Sequence, residues 1–283
     1  MKIQWYPGHM TKAKRAMQED IRLVDLVIEL LDARAPLSSR NPDIDKLAAN
    51  KFRLILLNKA DLADEGATAA WIDYFTKSGI RAVPLDSRNT GKVRQMKQLI
   101  QEVCREKLER DRKKGILNRP IRAMVAGIPN VGKSTFINSF AGRTAAKTGN
   151  KPGVTKGNQW IRLDKNVELL DTPGILWPKF DDETVGTYLA YLGTVNDDIV
   201  DKTELAYELL GFLQEHYPEA LKERYALTEL SERLKLMEEI AVHRNCLKKG
   251  SEPDLDRAAL LILDDFRNGR IGRISLEKAA ETA

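Results

Sequence analysis

The stretch Gly127-Ile128-Pro129-Asn130-Val131-Gly132-Lys133-Ser134 decides the fold of this chain. It has the form GxxxxGK[ST], the P-loop, in which glycines let the backbone curl until its N–H groups face phosphate oxygens. An apolar run at 123–126 precedes it and a helical pattern follows, which is the strand–loop–helix setting that the motif requires. The start of that helix adds a favourable dipole for an anion. The sequence therefore predicts a binding site for a nucleoside phosphate.

Two side chains of the P-loop have specific expected roles. Lys133 is expected to reach the β- and γ-phosphates, and Ser134 is expected to bind Mg²⁺. The neighbouring residues complete the predicted phosphate-binding set: Asn130, Val131, Gly132 and Thr135.

A second motif, Asp171-Thr172-Pro173-Gly174, has the form DxxG and directly follows an apolar run. Asp171 is expected to hold Mg²⁺, directly or through water, and the N–H of Gly174 to sense the γ-phosphate. DxxG alone is a weak signal, but this one follows a predicted strand and lies downstream of the P-loop. Between the two motifs, Thr155 is the predicted switch threonine, whose hydroxyl would cover Mg²⁺ in the triphosphate state.

A third motif, Asn58-Lys59-Ala60-Asp61, has the form NKxD that reads guanine. Asp61 would accept hydrogen bonds from guanine N1–H and from the exocyclic amine. Adenine offers neither donor at those positions, so a buried Asp61 would be left unpaired. The stem of Lys59 would lie along the base, and Asn58 would brace the P-loop. Asp86 and Ser87, in the sequence Asp-Ser-Arg at 86–88, fit the remaining base-contacting loop.

The order of these motifs is circularly permuted. An ordinary GTPase has the P-loop first and the guanine-reading motifs last, whereas here the motifs at 58–61 and 86–88 precede the P-loop. One sheet can still form, because a permutation only moves the cut point of the chain. The cut falls just after DxxG, so the second switch continues into the residues beyond 178. We expect nucleotide state to be coupled to the position of that C-terminal region.

Hydrophobic patterning divides the chain into two predicted domains. Residues 1–178 alternate apolar runs with helical stretches, which predicts an α/β domain with a mostly parallel sheet and helices on both faces. The expected strands are 23–31, 54–57, 80–85, 123–126 and 167–170, with 160–163 as an edge strand, and a helix is expected over 96–114. Residues 179–283 predict a small all-α domain with helices over 203–216, 228–247 and 254–268, capped by Thr203, Thr228 and Asp254.

Charge and composition restrict the partners and the location. The net charge of +5 divides into +13 over residues 1–178 and −8 over residues 179–283. A basic first domain favours a polyanion, with an ordinary solvated surface as the alternative. No apolar run approaches the roughly 18 residues of a membrane span, and residues 1–6 lack a signal-peptide core, so we expect a cytoplasmic protein with no membrane partner. Cys104 and Cys246 lack the spacing of a zinc site or a redox motif.

The permuted motifs resemble those of the ribosome biogenesis GTPase A family, which matures the large ribosomal subunit. The resemblance covers nearly the whole chain and also rests on the stretches at 6–10 (YPGHM), 32–36 (DARAP), 39–42 (SRNP) and 265–273 (DFRNGRIGR). It implies a GTP-hydrolysing factor for late assembly of the 50S subunit, which docks with GTP and leaves after hydrolysis. The implied partners are ribosomal RNA and ribosomal proteins, and the implied state is a monomer.

The resemblance also implies that the helical domain contacts ribosomal RNA, although that domain is net acidic. Its basic residues are clustered at 244–249 and at 267–273. A basic set at the N-terminus and the basic run at 105–114 are equally good candidates for an RNA contact. The N-terminal set is Lys12, Lys14, Arg15 and Arg22.

The residue after DxxG suggests slow hydrolysis by the isolated protein. Many GTPases have a glutamine there to orient the attacking water, but this chain has Ile175, which cannot do so. The resemblance implies His9 as the catalytic candidate, acting when the large subunit docks. It also implies that Asn130 helps to bind K⁺. From the residues alone, a lone histidine such as His9 is more often a surface or packing residue than a catalytic one, and the alternative for Asn130 is a role in loop geometry.

Two other functions remain open at the level of sequence. One is a nucleotide-dependent RNA-binding or scaffold module with little hydrolysis, which Ile175 favours and the intact phosphate and Mg²⁺ motifs oppose. The other is a signalling GTPase acting only on proteins, which fits the basic first domain less well.

Overall fold

The computed structural model describes residues 8–116, 119–142, 144–146, 159–163, 165–177, 180 and 182–279, apart from the side chains of residues 8, 9 and 13. These residues form two compact units, one of residues 8–180 with 275–279 and one of residues 182–274. The first unit thus extends two residues beyond the expected boundary at 178. The first unit also includes residues 275–279, which were expected in the helical domain. Within the described ranges, no helix has the length and apolar content needed to cross a membrane.

The first unit is built on a six-stranded sheet with the order β3-β2-β1-β4-β6-β5. Five strands are parallel, and β5 runs antiparallel to β6 at one edge, with Ile161 opposite Leu169. Of the described strands, four precede the P-loop and two follow it, and the two that follow lie together at one edge of the sheet. The strands are β1 (Leu26–Asp32), β2 (Phe52–Asn58), β3 (Arg81–Leu85), β4 (Ile121–Ala126), β5 (Gln159–Arg162) and β6 (Val167–Asp171).

Among the described residues, one helix of this unit precedes the first strand, and the others lie between successive strands. The helices are α1 (Gly8–Asp20), α2 (Ile44–Leu47), α3 (Glu65–Lys77), α4 (Thr90–Val103), α5 (Arg105–Lys113) and α6 (Lys133–Ala141). The single helix expected over 96–114 is therefore two helices that meet at Cys104. The first begins earlier because the side chain of Asn89 accepts a hydrogen bond from the N–H of Lys92 and so caps it.

The core of the first unit explains why the central strands were predictable. All seven residues of β1 are buried, as expected for a parallel strand that is covered on both faces. On one face, Val27 packs in a cluster with α1, and Leu31 packs in a second cluster with α3. The predicted start of this strand was wrong, because Leu23 lies in a 3-10 turn and is 53% exposed.

The second unit is helical, as expected. It contains α7 (Glu183–Tyr191), α8 (Lys202–His216), α9 (Pro218–Tyr225), α10 (Arg233–His243) and α11 (Leu255–Arg267). Asp254 caps α11 as predicted, by accepting from the N–H of Arg257. Two predicted caps were wrong: Asp201 rather than Thr203 caps α8, and Thr228 lies outside α10. The helices α7 and α9 were not predicted.

Candidate functional site

The four predicted nucleotide motifs lie at one edge of the sheet. The loop at 58–61 follows β2, the loop at 86–88 follows β3, the P-loop follows β4, and DxxG begins at the last residue of β6. These strands are parallel, so their carboxyl ends meet at the same edge. In open α/β sheets this edge is where ligands bind.

Asn58 joins three of these segments through its side chain. Its Nδ2 donates to the carbonyl of Val131 in the P-loop over 2.7 Å. Its Oδ1 accepts from the N–H and from the hydroxyl of Ser87, over 3.0 and 2.7 Å. Gly132 has a φ of +101°, and a Cβ there would overlap Nδ2 of Asn58. The side chain and the glycine together fix how closely the guanine-reading loops approach the P-loop.

The P-loop lysine is buried and bonded to its own loop. The ammonium of Lys133 donates to the carbonyls of Gly127 and Ile128 over 3.0 and 2.8 Å. Burial lowers the pKa of Lys133 to about 8, although Asp171 opposes that change. Lys133 is also the first residue of α6, so the N–H groups of Ser134 and Thr135 lie in the first turn, where an anion is favoured. An incoming phosphate would supply the counter-charge that the ammonium lacks.

The end of β6 provides a carboxylate oxygen suited to a cation. Oδ1 of Asp171 is buried and has no hydrogen-bond partner among the described residues. Burial raises the pKa of Asp171, and Lys133 partly offsets this effect. Mg²⁺ takes hard oxygen ligands and is commonly held by one or two carboxylates together with phosphates and waters. The residues present therefore fit Mg²⁺ held by Asp171 and the hydroxyl of Ser134, whereas Thr155 lies outside the described residues.

The DxxG loop packs closely against the P-loop. A Cβ on Gly174 would lie 2.6 Å from the backbone nitrogen of Pro129, so only glycine fits there without a shift. The hydroxyl of Thr172 donates to the carbonyl of Val125 over 2.7 Å and ties the start of the loop to β4. Ile175 is buried in the same apolar cluster as Met17 and Ile21. An apolar, buried side chain at this position offers no group that could orient water.

The loop at 58–61, which is predicted to read guanine, is supported by a buried chain of ion pairs. Lys59 pairs with Asp32 over 3.0 Å, and Arg34 clamps both oxygens of Asp32 at 2.9 Å. Burial by itself would raise the pKa of Asp32, but Arg34 and Lys59 hold it well below its usual range. Sequence reasoning used Asp32 and Arg34 only for the family resemblance. The available signal was a pair of charges at the end of an otherwise apolar strand.

Asp61 carries a counter-ion that sequence reasoning did not assign. Its Oδ2 pairs with the guanidinium of Arg88, which also pairs with Asp86 over 3.0 Å. Its Oδ1 is buried and has no hydrogen-bond partner among the described residues. Ala60 is fixed by an N–H bond to the carbonyl of Leu85 over 3.0 Å. The carboxylate is thus in the site, with one oxygen paired to an exposed arginine.

Two further predicted residues lie at the start of α1 and in the P-loop. His9 lies in the first turn of α1, and its side chain is outside the described part of the chain. Asn130 lies in the P-loop with a φ of +58°, a conformation that asparagine tolerates better than most residues.

Comparison with known proteins agrees with this arrangement. The sequence profile of the family described as 50S ribosome-binding GTPase matches residues 122–232. Ribosome biogenesis GTPase A from Priestia megaterium is 48% identical over 283 residues, covering 99% of this chain and 98% of the relative. The protein of the same name from Thermotoga maritima is 34% identical, over 98% of this chain and 94% of the relative.

The crystal structure of GNP-bound YlqF from T. maritima superimposes on this fold with a TM-score of 0.66. It is 30% identical and is matched over 95% of this chain and 99% of that chain. The fold, the nucleotide motifs and these full-length relatives agree with one another: the chain belongs to the ribosome biogenesis GTPase A family and is a GTPase of ribosome biogenesis.

Proposed function

We propose that this GTPase acts in late maturation of the large (50S) ribosomal subunit, where it docks with GTP bound and is released after hydrolysis. The observation that carries the GTP-dependent part of the proposal is the bonding of Asn58 to both the P-loop and Ser87, because it links the predicted base-reading loop to the phosphate-binding loop. The name of the matching family profile, 50S ribosome-binding GTPase, supports the choice of subunit. We further propose that the protein works as a monomer in the cytoplasm.

The proposed nucleotide contacts follow from the geometry of the loops. Lys133 and the N–H groups of residues 130–135 bind the phosphates, and the N–H of Gly174 contacts the γ-phosphate. Asp61 reads guanine, supported by Asn58, Lys59, Ala60, Asp86 and Ser87. The oxygens of Ser134, Asp171 and Thr155 hold Mg²⁺. When bound, Mg²⁺ would neutralise charge on the transferring phosphoryl group.

Hydrolysis needs a group that Ile175 does not supply. We propose that His9 provides it when the ribosomal particle docks. This assignment is supported by the packing of α1, because Met17 of this helix lies in the same cluster as Ile175. A movement at the start of α1 would therefore be transmitted to the second switch. K⁺ bound near Asn130 is proposed as an additional cation, to be tested by comparing turnover in K⁺ and Na⁺.

Exposed basic side chains support a contact with ribosomal RNA. In the first unit, α5 and the turn after it expose Arg105, Arg110, Arg112, Lys113 and Lys114. In the helical unit, a cavity of about 480 Å³ is lined by Arg224, Arg244 and Arg270 around the buried Asp265. The side chain of Arg244 is 30% exposed, and its Nη2 lies 4.0 Å from the carboxylate of Asp265. The exposed part of Arg244 and the exposed basic side chains of α5 are suited to phosphate oxygens.

Arg267 does not fit that role, although it lies in the predicted basic cluster. Its guanidinium donates to the carbonyls of Ala190 and Tyr191 and pairs with Asp197 over 2.8 Å. The arginine is thus a structural link between α11, the end of α7 and the 3-10 turn Asp197–Ile199.

The test is GTP hydrolysis by the pure protein in K⁺ buffer, with and without purified large subunits. We expect slow turnover alone and strong stimulation by large subunits, but not by small subunits. Particle binding should also weaken steeply with salt if phosphates are contacted. Tight GTP binding without any stimulation would favour the alternative, a nucleotide-dependent RNA-binding scaffold with little hydrolysis.

A further inference from the structure

The segment 275–279, here called the return segment, lies on the first unit next to the loop at 34–38. The N–H of Leu276 donates to the carbonyl of Arg34 over 2.7 Å. The carboxylate of Glu277 accepts from the N–H of Leu37 at 2.8 Å, from the N–H of Ser38 at 2.9 Å and from the Ser38 hydroxyl. One side chain thus satisfies three donors of a loop that is about 240 residues distant in sequence.

The return segment is also bonded to the stretch that follows Asp61. The hydroxyl oxygen of Ser275 accepts from the N–H of Asp64 over 3.1 Å. The carbonyl of Glu277 accepts from the indole N–H of Trp71 over 3.3 Å. Ala279 packs against the apolar cluster that contains Ala63 and Trp71. The segment therefore contacts residues that precede the loop at 58–61 in the sequence and residues that follow it.

The contacts with the loop at 34–38 lead to Lys59. Arg34, whose carbonyl is held by Leu276, clamps the carboxylate of Asp32, and Asp32 in turn pairs with Lys59. Lys59 has a φ of +58°, a conformation that costs energy in a residue with a side chain and persists only where the surroundings impose it. The return segment is part of those surroundings.

We propose that Glu277 and the return segment position the guanine-reading loop and thereby set the selectivity of this GTPase for guanine. Glu277 is a positioning residue, because its carboxylate is bonded to Leu37 and Ser38 and acts on the base only through Asp32, Lys59 and Asp61. The inference rests on the guanine-reading role proposed above for Asp61. Nothing in the motif pattern of the GTPase assigns a role to residues beyond 274.

A purely structural role makes a different prediction from a positioning role. Loss of a structural contact lowers the folded fraction, so every ligand of the site is affected by the same factor. Loss of a positioning contact lowers the affinity for guanine, but leaves the affinity for the phosphate part of the ligand unchanged. The ratio of affinities for GDP and for inosine diphosphate, which lacks the exocyclic amine, separates the two.

The experiment compares Glu277→Ala with the chain ended at Ile274 and with the control Lys278→Ala, whose side chain is exposed. Competition against a ribose-labelled fluorescent GDP gives affinities for GDP, inosine diphosphate and pyrophosphate. We expect the GDP-to-inosine-diphosphate ratio to fall by about fivefold or more in Glu277→Ala. Pyrophosphate affinity should stay within about twofold of the original protein, and Lys278→Ala should behave like the original protein.

The proposal is overturned if the ratio is unchanged in a Glu277→Ala protein that melts as a folded protein, or if all three ligands weaken equally. If the shortened chain does not fold, the point variant decides, with Glu277→Gln as a milder second variant. Asp61→Ala separates the two levels of inference. If the GDP-to-inosine-diphosphate ratio is unchanged in Asp61→Ala, the guanine-reading proposal itself is wrong. If the ratio falls in Asp61→Ala but is unchanged in Glu277→Ala, only the role of the return segment is wrong.

Discussion

At the scale of single residues, the site depends on charges that are buried in pairs. Asp32 and Arg34 are each about 1% exposed, and Lys59 shares the same carboxylate. A buried charge is tolerated because its partner is present, so the pair must be considered together. The carboxylate of Asp32 therefore supports the predicted guanine-reading loop from outside the motif.

Replacing Asp32 by asparagine tests this dependence. Asp32→Asn keeps the shape of the side chain but leaves Arg34 and Lys59 without a buried counter-charge, which should cost about 3 to 5 kcal/mol of unfolding free energy. Urea unfolding measures the loss. The control Asp73→Asn removes the exposed partner of Lys77 and should cost less than about 1 kcal/mol. Equal losses in the two variants would contradict the importance of burial.

Replacing Arg88 is expected to strengthen nucleotide binding rather than to weaken the protein. It is 67% exposed and pairs with Asp61, the carboxylate that guanine is proposed to use. Because the pair is screened by solvent, displacing it should cost at most about 1 kcal/mol. Arg88→Ala should therefore tighten GDP binding by up to about fivefold, as measured by fluorescence titration. Arg94→Ala, on the exposed side of α4, should leave the affinity unchanged, and weaker binding by Arg88→Ala would show that Arg88 contacts the nucleotide instead.

At the scale of elements, the return segment makes a contribution to stability that changes with pH in a predictable direction. Burial raises the pKa of Glu277, although its bonds to Ser38 and Leu37 oppose the change. A raised pKa means that the folded state holds the proton more tightly than the unfolded state. The contribution of Glu277 to stability is therefore fully present below its usual pKa and is lost as pH rises through the folded-state value.

The variant Glu277→Gln cannot titrate, so it isolates that contribution. The unfolding free energy of the original protein minus that of Glu277→Gln should decrease as pH is raised from about 4.5 towards neutrality. Chemical denaturation at several pH values in one buffer system measures the difference. A difference that increases with pH would mean that hydrogen bonding rather than burial dominates at this carboxylate.

Which elements were predictable follows from how local their signals are. The strands β1, β2, β4 and β6 are covered on both faces, so they appear as continuous apolar runs. The motifs indicated their loops because each motif is contiguous. The break at Cys104 and the helix α9 lack such a signal. The pairs Lys59–Asp32 and Ser38–Glu277 join distant parts of the chain and leave no periodic trace.

At the scale of the whole molecule, the basic residues divide into those that face solvent and those that hold the fold. Arg244 lines the cavity of the helical unit with a side chain that is 30% exposed, whereas Arg267 is bonded to Asp197 and to two carbonyls. Two members of the predicted basic clusters therefore have different roles, which the sequence alone could not distinguish.

Paired variants make that difference measurable. Arg244→Ala should weaken binding to large subunits, with little change in stability. The slope of log affinity against log salt concentration should become shallower by about 1, the value for one lost phosphate contact. Arg267→Ala should instead lower the melting temperature, because it leaves Asp197 and the carbonyls of Ala190 and Tyr191 without their donor. Sedimentation with large subunits and thermal melts are measured on both variants. A lower melting temperature in Arg244→Ala together with weaker subunit binding by a stable Arg267→Ala would contradict this division.

The order in which this chain is made gives the return segment one more consequence. A translating ribosome delivers the loop at 34–38 early and Glu277 only about 240 residues later, after the entire helical unit. Until then the N–H groups of Leu37 and Ser38 must be satisfied by water. A nascent chain can thus complete its sheet long before residue 277 emerges. If the return segment sets guanine selectivity, discrimination among nucleotides is acquired only after the helical unit has been synthesised. Unfinished chains would then compete poorly with finished chains for GTP.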